Sequence, residues 1–153
     1  MPQYHLANFN IARMIAPLDG SEMQGFVDEL DRINQLADES PGFVWRLQEE
    51  NGSAIEVRPY EDPMILINMS VWETVEALRE FTYRSDHREV FRQRRKWFVP
   101  MKAPHLVLWW IPVETYPSPE EGKQRLEMLR RDGPTAEAFD FGKPFPSPHP
   151  TIV

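Results

Sequence analysis

Hydrophobic and polar residues alternate at the start of the chain, and this pattern predicts a β-strand over residues 4–14. One face of this strand carries His5, Ala7, Phe9 and Ile11, and the other carries Leu6, Asn8, Asn10 and Ala12. Successive side chains of a strand point to opposite faces of its sheet, and here both faces are partly apolar. We therefore expect other elements to cover both faces.

A helical pattern follows the first strand. Apolar residues recur at helical spacing and define one stripe, formed by Met23, Phe26, Val27, Leu30, Ile33 and Leu36. Ser21 and Gln24 have the spacing of a capping box, which predicts that Ser21 caps this helix. The Ser40-Pro41-Gly42 stretch is expected to end it.

The remaining pattern predicts three more strands and further helices. Strands are predicted at residues 43–48, 64–72 and 105–111, with a turn at 51–52 and a weak strand at 54–58. Helices are predicted at residues 73–83, from about 86 to 98, and from Ser118 to about 131. Seven of the fifteen prolines crowd into residues 117–150, so an extended tail follows the last helix.

The order of these elements predicts an α+β fold of the ferredoxin-like β-α-β-β-α-β type, with a four-stranded antiparallel sheet. Residues 1–112 would form this domain, and residues 113–153 a C-terminal helix and proline-rich extension of the same domain. Helices on one side of such a sheet leave the other side bare, and here it carries large apolar side chains. Either a second copy or the tail must cover it, and we favour a homodimer with the tail as an additional clamp.

Composition and charge exclude several classes of protein. Of the 153 residues, 41% are hydrophobic and 27% charged, which is typical of one globular domain. The net charge of −7 argues against nucleic-acid binding, and the longest apolar run, at residues 106–111, is too short to span a membrane. Without cysteine there is no disulfide or thiolate ligand. No signal peptide is apparent, so we expect a cytoplasmic protein.

Several stretches resemble a known superfamily. SPGFVWRL at 40–47 and NMSVWETVEALREFTYRSDH at 68–87 are similar to the dimeric α/β-barrel proteins, which include antibiotic-biosynthesis monooxygenases, haem-degrading monooxygenases, muconolactone isomerase and polyketide cyclases. PHLVLWWIP at 104–112 and RL…L…GPT at 125–135 resemble a bacterial family of unknown function, number 3291. The resemblance implies that two sheets pack face to face and that each subunit holds a pocket between its sheet and its helices.

Amide side chains share one face of the predicted sheet, and this face is the first candidate ligand site. Asn8 and Asn10 lie on one face of the first strand, and one face of the third carries Asn68, Ser70 and Trp72. A buried amide without a hydrogen bond costs about 1–3 kcal/mol, so these groups need partners. The partner is either a bound ligand or another polar group of a satisfied core.

His87 and Arg94 interrupt an otherwise apolar stripe on the helix predicted after Ser85. A buried arginine requires a counter-charge, which is either an internal carboxylate or an anionic ligand. Histidine can move protons near neutral pH, so His87 is our candidate general acid and base. The alternative is that His87 caps a helix or supports other residues.

Aromatic residues and His105 complete the candidate site. Tryptophan stacks well on planar ligands, so Trp45 and Trp109 are candidate binding residues, although tryptophan in a sheet more often belongs to a core or an interface. The four histidines lack metal-binding spacing, and no nucleotide-binding or nucleophile-elbow motif occurs, so we expect no bound metal.

Three functional hypotheses follow. The first is a cofactor-independent small-molecule enzyme with monooxygenase-like or cyclase or isomerase chemistry on a planar, apolar substrate, in which His87 moves a proton and Arg94 stabilises an enolate or phenolate. The second is haem binding or degradation, which the resemblance supports at Asn8 or Asn10 and at Trp72, but not at the axial histidine. The third is a non-catalytic dimeric module that binds a ligand or a partner.

Overall fold

A computed structural model describes residues 3–48, 59–83 and 92–148 of the chain. The helices are α1 (Gln24–Asp38), α2 (Val75–Thr82) and α3 (Pro119–Asp132). The strands are β1 (Tyr4–Met14), β2 (Phe43–Arg46), β3 (Ile65–Trp72), β4 (Phe98–Val99) and β5 (Leu106–Pro112).

The strands form one antiparallel sheet with β1 at its centre. One edge of β1 pairs with β3, and the other pairs with β5 and, at its end, with the two residues of β4. β2 lies outside β3, so the order across the sheet is β2-β3-β1-β5. This is the ferredoxin-like topology, and the prediction of an α+β fold of this type is confirmed.

Helices α1 and α2 cover one side of the sheet, which we call the helix side. Even-numbered residues of β1, β3 and β5 point to this side, and they include Leu6, Asn8, Asn10, Leu66, Asn68, Ser70, Trp72 and Leu108. Val75 and Leu78 of α2 pack against Leu6 and Trp72, while Phe26 of α1 belongs to a second apolar cluster. The two clusters lie at the two ends of the helix side, which leaves the polar residues between them.

The other side of the sheet is not bare, and here the sequence-based expectation was wrong. Helix α3 lies across β1 and β5 on this side, which we call the α3 side. Leu126 and Leu129 of α3 pack on a core in which Phe9 and Val107 are 0% exposed. Because α3 buries the apolar surface within the chain, a bare apolar face no longer argues for a sheet-to-sheet homodimer, which stays a prediction from the resemblance.

The segment after α3, residues 133–148, forms a strap along the outer edge of β5. Leu108 and Phe139 exchange two backbone hydrogen bonds of 2.8 and 2.9 Å, and the Trp110 indole N–H donates to the carbonyl of Phe145. Arg79 of α2 donates to the carbonyl of Phe141. The strap therefore ties the edge of the sheet to α2 on the helix side, whereas the tail was predicted as an additional clamp on the bare side.

Several element boundaries differ from the sequence-based expectation. Ser21 does not cap α1, because a 3-10 turn at Ser21–Met23 precedes the helix and no side chain caps either element. Ser118 does cap α3, as predicted, by accepting a hydrogen bond from the Glu121 N–H. The helix predicted to reach residue 98 ends earlier, since Arg94–Lys96 form a 3-10 turn and β4 follows. The predicted elements at residues 51–58 and 84–91 lie outside the described residues.

None of the helices in the described ranges has both the length and the apolar character needed to cross a lipid bilayer.

Candidate functional site

A cavity of about 320 Å³ lies between the helix side of the sheet and helices α1 and α2. This volume is at the lower end of the range for small-molecule sites. Its walls are mainly apolar, and they include Phe26, Leu30, Ile33, Leu66, Leu78, Phe81, Trp97, Phe98 and Leu106. The cavity is therefore suited to an apolar ligand that has a small number of polar groups.

The floor of the cavity carries four neutral polar side chains from β1 and β3. The register of the sheet places Asn8 opposite Ser70 and Asn10 opposite Asn68. Asn8 Nδ2 donates to Ser70 Oγ at 3.1 Å, and Asn10 Nδ2 donates to Asn68 Oδ1 at 3.4 Å. Directly opposed residues of an antiparallel pair are near neighbours, so the strand pairing itself forms this polar stripe.

Asn8 has a hydrogen-bonding group with no partner. Its side chain is 4% exposed, and no group among the described residues donates a hydrogen bond to Oδ1. Leaving such a buried acceptor unpaired costs about 1–3 kcal/mol. An unpaired amide oxygen on the floor of a cavity is typical of a binding site, because a bound molecule can supply the missing donor.

Trp72 forms one wall of the cavity and is held in place on several sides. Its indole N–H donates to Ser70 Oγ at 2.9 Å, and its ring stacks on Phe81 with centroids 5.1 Å apart. The ring of Phe43 meets it edge-on at 5.4 Å. Trp72 is 1% exposed, so it forms a rigid and closely packed part of the wall.

Two arginines and one histidine lie at the periphery of the cavity. Arg94, from the 3-10 turn before β4, and Arg46, at the end of β2, both contribute to the lining. Arg46 Nε donates to Asp38 Oδ1 at 2.9 Å, which ties the end of α1 to β2. His105, next to the start of β5, is the one histidine that lines the cavity among the described residues.

The structure brings together six of the nine predicted site residues. Asn8, Asn10, Asn68, Trp72, Arg94 and His105 all line the cavity. His87 lies outside the described residues, so its role as acid and base stays a prediction. Trp45 and Trp109 lie on the α3 side, away from the cavity, and the candidate site does not include them.

The two tryptophans are misplaced for different reasons. A β-bulge between Phe43 and Trp45 shifts the register of β2, so Trp45 points to the α3 side while Phe43 packs against Trp72 on the helix side. Trp109 is 1% exposed beneath α3, with the guanidinium group of Arg125 5.7 Å from the centre of its ring. Trp109 therefore belongs to the core.

Alternation along the third strand places Ser70 on the same face as Asn68 and Trp72, but sequence reasoning gave Ser70 no role in the site. The structure shows that Ser70 connects Asn8 to Trp72. The stacking of Phe81 on Trp72 depends on how α2 docks on the sheet, which local sequence does not reveal.

The expectations on metal and haem remain predictions. No group of three or more histidine, aspartate or glutamate side chains comes together as metal ligands within the described parts of the chain. A haem site would need an axial ligand, and the histidine that the sequence offers near that position, His87, lies outside those parts.

Comparisons with known proteins place the chain in one family and give distant structural relatives. Residues 5–152 match the family model described as domain of unknown function DUF3291. None of the curated proteins matches the chain.

Three solved structures illustrate the structural similarity. SnoaB, a cofactor-independent oxygenase from Streptomyces nogalater, has 13% identity and a TM-score of 0.47, and the alignment covers 74% of this chain and 96% of SnoaB. PA3566 from Pseudomonas aeruginosa has 10% identity and a TM-score of 0.49, covering 75% and 99%. NE2512, a protein of unknown function from Nitrosomonas europaea, has 12% identity and a TM-score of 0.46, covering 78% and 98%.

Proposed function

Since the chain belongs to the DUF3291 family, whose description names no reaction, we propose its function from the cavity: a cofactor-independent enzyme acting on a planar, largely apolar small molecule. The observation that carries this proposal is the unpaired oxygen of Asn8 on the floor of a cavity with mainly apolar walls. The described residues that line the cavity all belong to one chain, so the proposed function does not require the predicted homodimer.

The polar floor suits chemistry that passes through an enolate or phenolate. The Asn68 side-chain N–H groups donate no hydrogen bond within the described residues, and they line the cavity. Asn68 is exposed, so a bound ligand has to shield these donors from water before they can stabilise a developing oxyanion. Arg94, at the edge of the cavity, adds positive charge that favours the same anion.

Proton transfer requires an acid and base beside this floor. His87 is our sequence-based candidate, and His105 is the imidazole that lines the cavity among the described residues. Either could remove a proton from a carbon or oxygen next to an aromatic ring. The resulting enolate or phenolate could react with dioxygen, as in a monooxygenase-like reaction, or rearrange, as in an isomerase or cyclase.

Anthrone is a suitable probe because it is planar and apolar and has an acidic CH₂ group. Deprotonation gives an enolate, which dioxygen can oxidise without a cofactor. Anthrone and dioxygen then yield anthraquinone and water: two C–H bonds are lost, one oxygen atom becomes the new carbonyl and the other leaves as water. Dioxygen uptake and anthraquinone absorbance both measure this reaction.

We expect the purified protein to accelerate dioxygen uptake with anthrone, and Asn68→Ala to lower kcat about 10²-fold, the effect of removing one oxyanion donor. Trp45→Phe, on the opposite side of the sheet, serves as the control and should leave kcat unchanged. Native mass spectrometry of freshly purified protein provides a second measurement. A co-purified aromatic molecule without turnover would instead indicate a ligand-binding module, and a Soret band on adding hemin would indicate haem binding.

A further inference from the structure

Ser70 lies at the centre of the hydrogen bonds on the cavity floor. Its Oγ accepts two hydrogen bonds, from Asn8 Nδ2 at 3.1 Å and from Trp72 Nε1 at 2.9 Å. A hydroxyl group has two acceptor lone pairs and one donor hydrogen, so these two bonds use its entire accepting capacity. The hydroxyl hydrogen of Ser70 remains, and no acceptor for it is present among the described residues.

The same two bonds determine the orientation of Asn8. Because Nδ2 is bound to Ser70, the other end of the amide, Oδ1, points away from Ser70 and has no donor in the described residues. The cavity floor therefore holds an unused acceptor, Asn8 Oδ1, beside an unused donor, the Ser70 hydroxyl. Both residues are buried and both line the cavity.

We propose that Ser70 is a positioning and specificity-determining residue, which fixes the Asn8 amide so that the pair recognises a hydroxyl group attached to the apolar ligand. A hydroxyl group both donates and accepts, so it can satisfy Asn8 Oδ1 and the Ser70 hydrogen together. An ether can only accept, and it leaves the buried oxygen of Asn8 unpaired. Anthrone meets the rule through its enol tautomer, anthrol, which carries a hydroxyl group.

This inference depends on one part of the proposed function, namely that a small molecule occupies the cavity. It adds a selection rule that the proposed function does not require. Sites that hydrogen-bond a substrate hydroxyl strongly reject analogues lacking it, because their own buried polar groups are then left without partners. The discrimination is therefore expected to reside in Ser70 and Asn8 rather than in the shape of the apolar walls.

The first experiment compares two ligands on the unmodified protein. Binding of 1-naphthol and of 1-methoxynaphthalene is measured by titration calorimetry, because these molecules share the ring system and differ in the hydroxyl hydrogen. We expect 1-naphthol to bind at least about tenfold more tightly. Equal affinities would overturn the selection rule while leaving the proposed function intact, and no binding of either probe would overturn both.

The second experiment assigns the discrimination to Ser70. Ser70→Ala removes the acceptor that orients Asn8, so the preference for 1-naphthol should fall to about twofold or less. Ser40→Ala is the matched control: both serines are 7% exposed, and Ser40 Oγ donates to the Leu36 carbonyl away from the cavity. It should lose a buried hydrogen bond and keep the wild-type preference.

The ratio of the two affinities is a readout that a purely structural role for Ser70 would not change. If Ser70→Ala keeps the wild-type ratio, Ser70 has no part in specificity and the proposal fails. If Ser70→Ala does not fold, Ser70→Thr keeps the hydroxyl and should keep the ratio, while Asn8→Ala removes the acceptor and should abolish it.

Discussion

Gly122 of α3 lies directly against the ring of Phe9 on β1, so closely that a β-carbon at position 122 would overlap the ring. Phe9 is 0% exposed, and it belongs to the core that α3 closes on the α3 side of the sheet. The absence of a side chain at Gly122 is what allows α3 to approach the sheet this closely. The covering of this surface therefore depends on one glycine.

Gly122→Ala tests this contact. In an exposed helix, replacing glycine by alanine stabilises by up to about 1 kcal/mol, but here the added methyl group must displace α3 or the Phe9 ring. We expect a net loss of about 1–3 kcal/mol in the free energy of unfolding, which is the usual cost of overpacking. Urea unfolding measures it, and Gln124→Ala, at an exposed position of the same helix, should change stability little. A stabilised Gly122→Ala protein would show that α3 is not in tight contact with β1.

Leu126→Asp tests whether α3 protects the chain from self-association. Leu126 of α3 is 0% exposed, and a buried charge at this position should detach the helix from the sheet. With the apolar surface covered, we expect the wild type to sediment as a single subunit at micromolar concentration, and Leu126→Asp to associate or precipitate. Gln124→Asp adds the same charge on the exposed face and should behave as the wild type. A dimeric wild type that Leu126→Asp dissociates would contradict this expectation.

Asn8→Leu should change stability and ligand binding in opposite directions. The substitution removes a buried oxygen that has no partner and fills the same space with apolar atoms. We expect the free energy of unfolding to rise by up to about 1 kcal/mol, because the gain exceeds the loss of the bond to Ser70. Binding of 1-naphthol, measured by calorimetry, should be lost. A destabilised variant that still binds would mean that Asn8 is only a structural residue.

The ion pair of Arg13 and Asp62 predicts a dependence of stability on pH. The Met64 backbone N–H, followed by Arg13, lowers the pKa of the Asp62 carboxyl below its ordinary value of 3.8. A carboxyl with a lowered pKa in the folded state stabilises the protein above 3.8, and the contribution is lost as pH falls through the folded-state pKa. Asp62→Asn should therefore lower the thermal unfolding midpoint at pH 7, and the difference from wild type should vanish in strong acid. A difference of equal size at both pH values would exclude the ionic contribution.

Much of the fold and part of the site could be predicted from local sequence patterns. Alternation with a period of two placed Asn8 and Asn68 on one face, because the pleat of a strand fixes side-chain direction wherever the register is regular. The same rule failed at Trp45, where a bulge reverses the direction, and nothing in the local sequence marks that bulge.

The position of α3 could not be predicted from its sequence. The helix was correctly identified from its cap at Ser118, but its apolar residues indicate only that one face is buried, not against which surface. Leu126 and Leu129 would fit a partner subunit equally well. That they pack on this chain's own sheet is a long-range property, which depends on the connection from β5 to α3.

The attachment of α3 to its own sheet also has a consequence at low protein concentration. A surface that is covered by a partner becomes exposed on dilution, whereas a covering segment of the same chain keeps a fixed local concentration. The sheet that carries Asn8 and Ser70 therefore stays covered by α3 in dilute and in concentrated solution alike. A cell could keep very few copies of this protein without losing the shape of the candidate site.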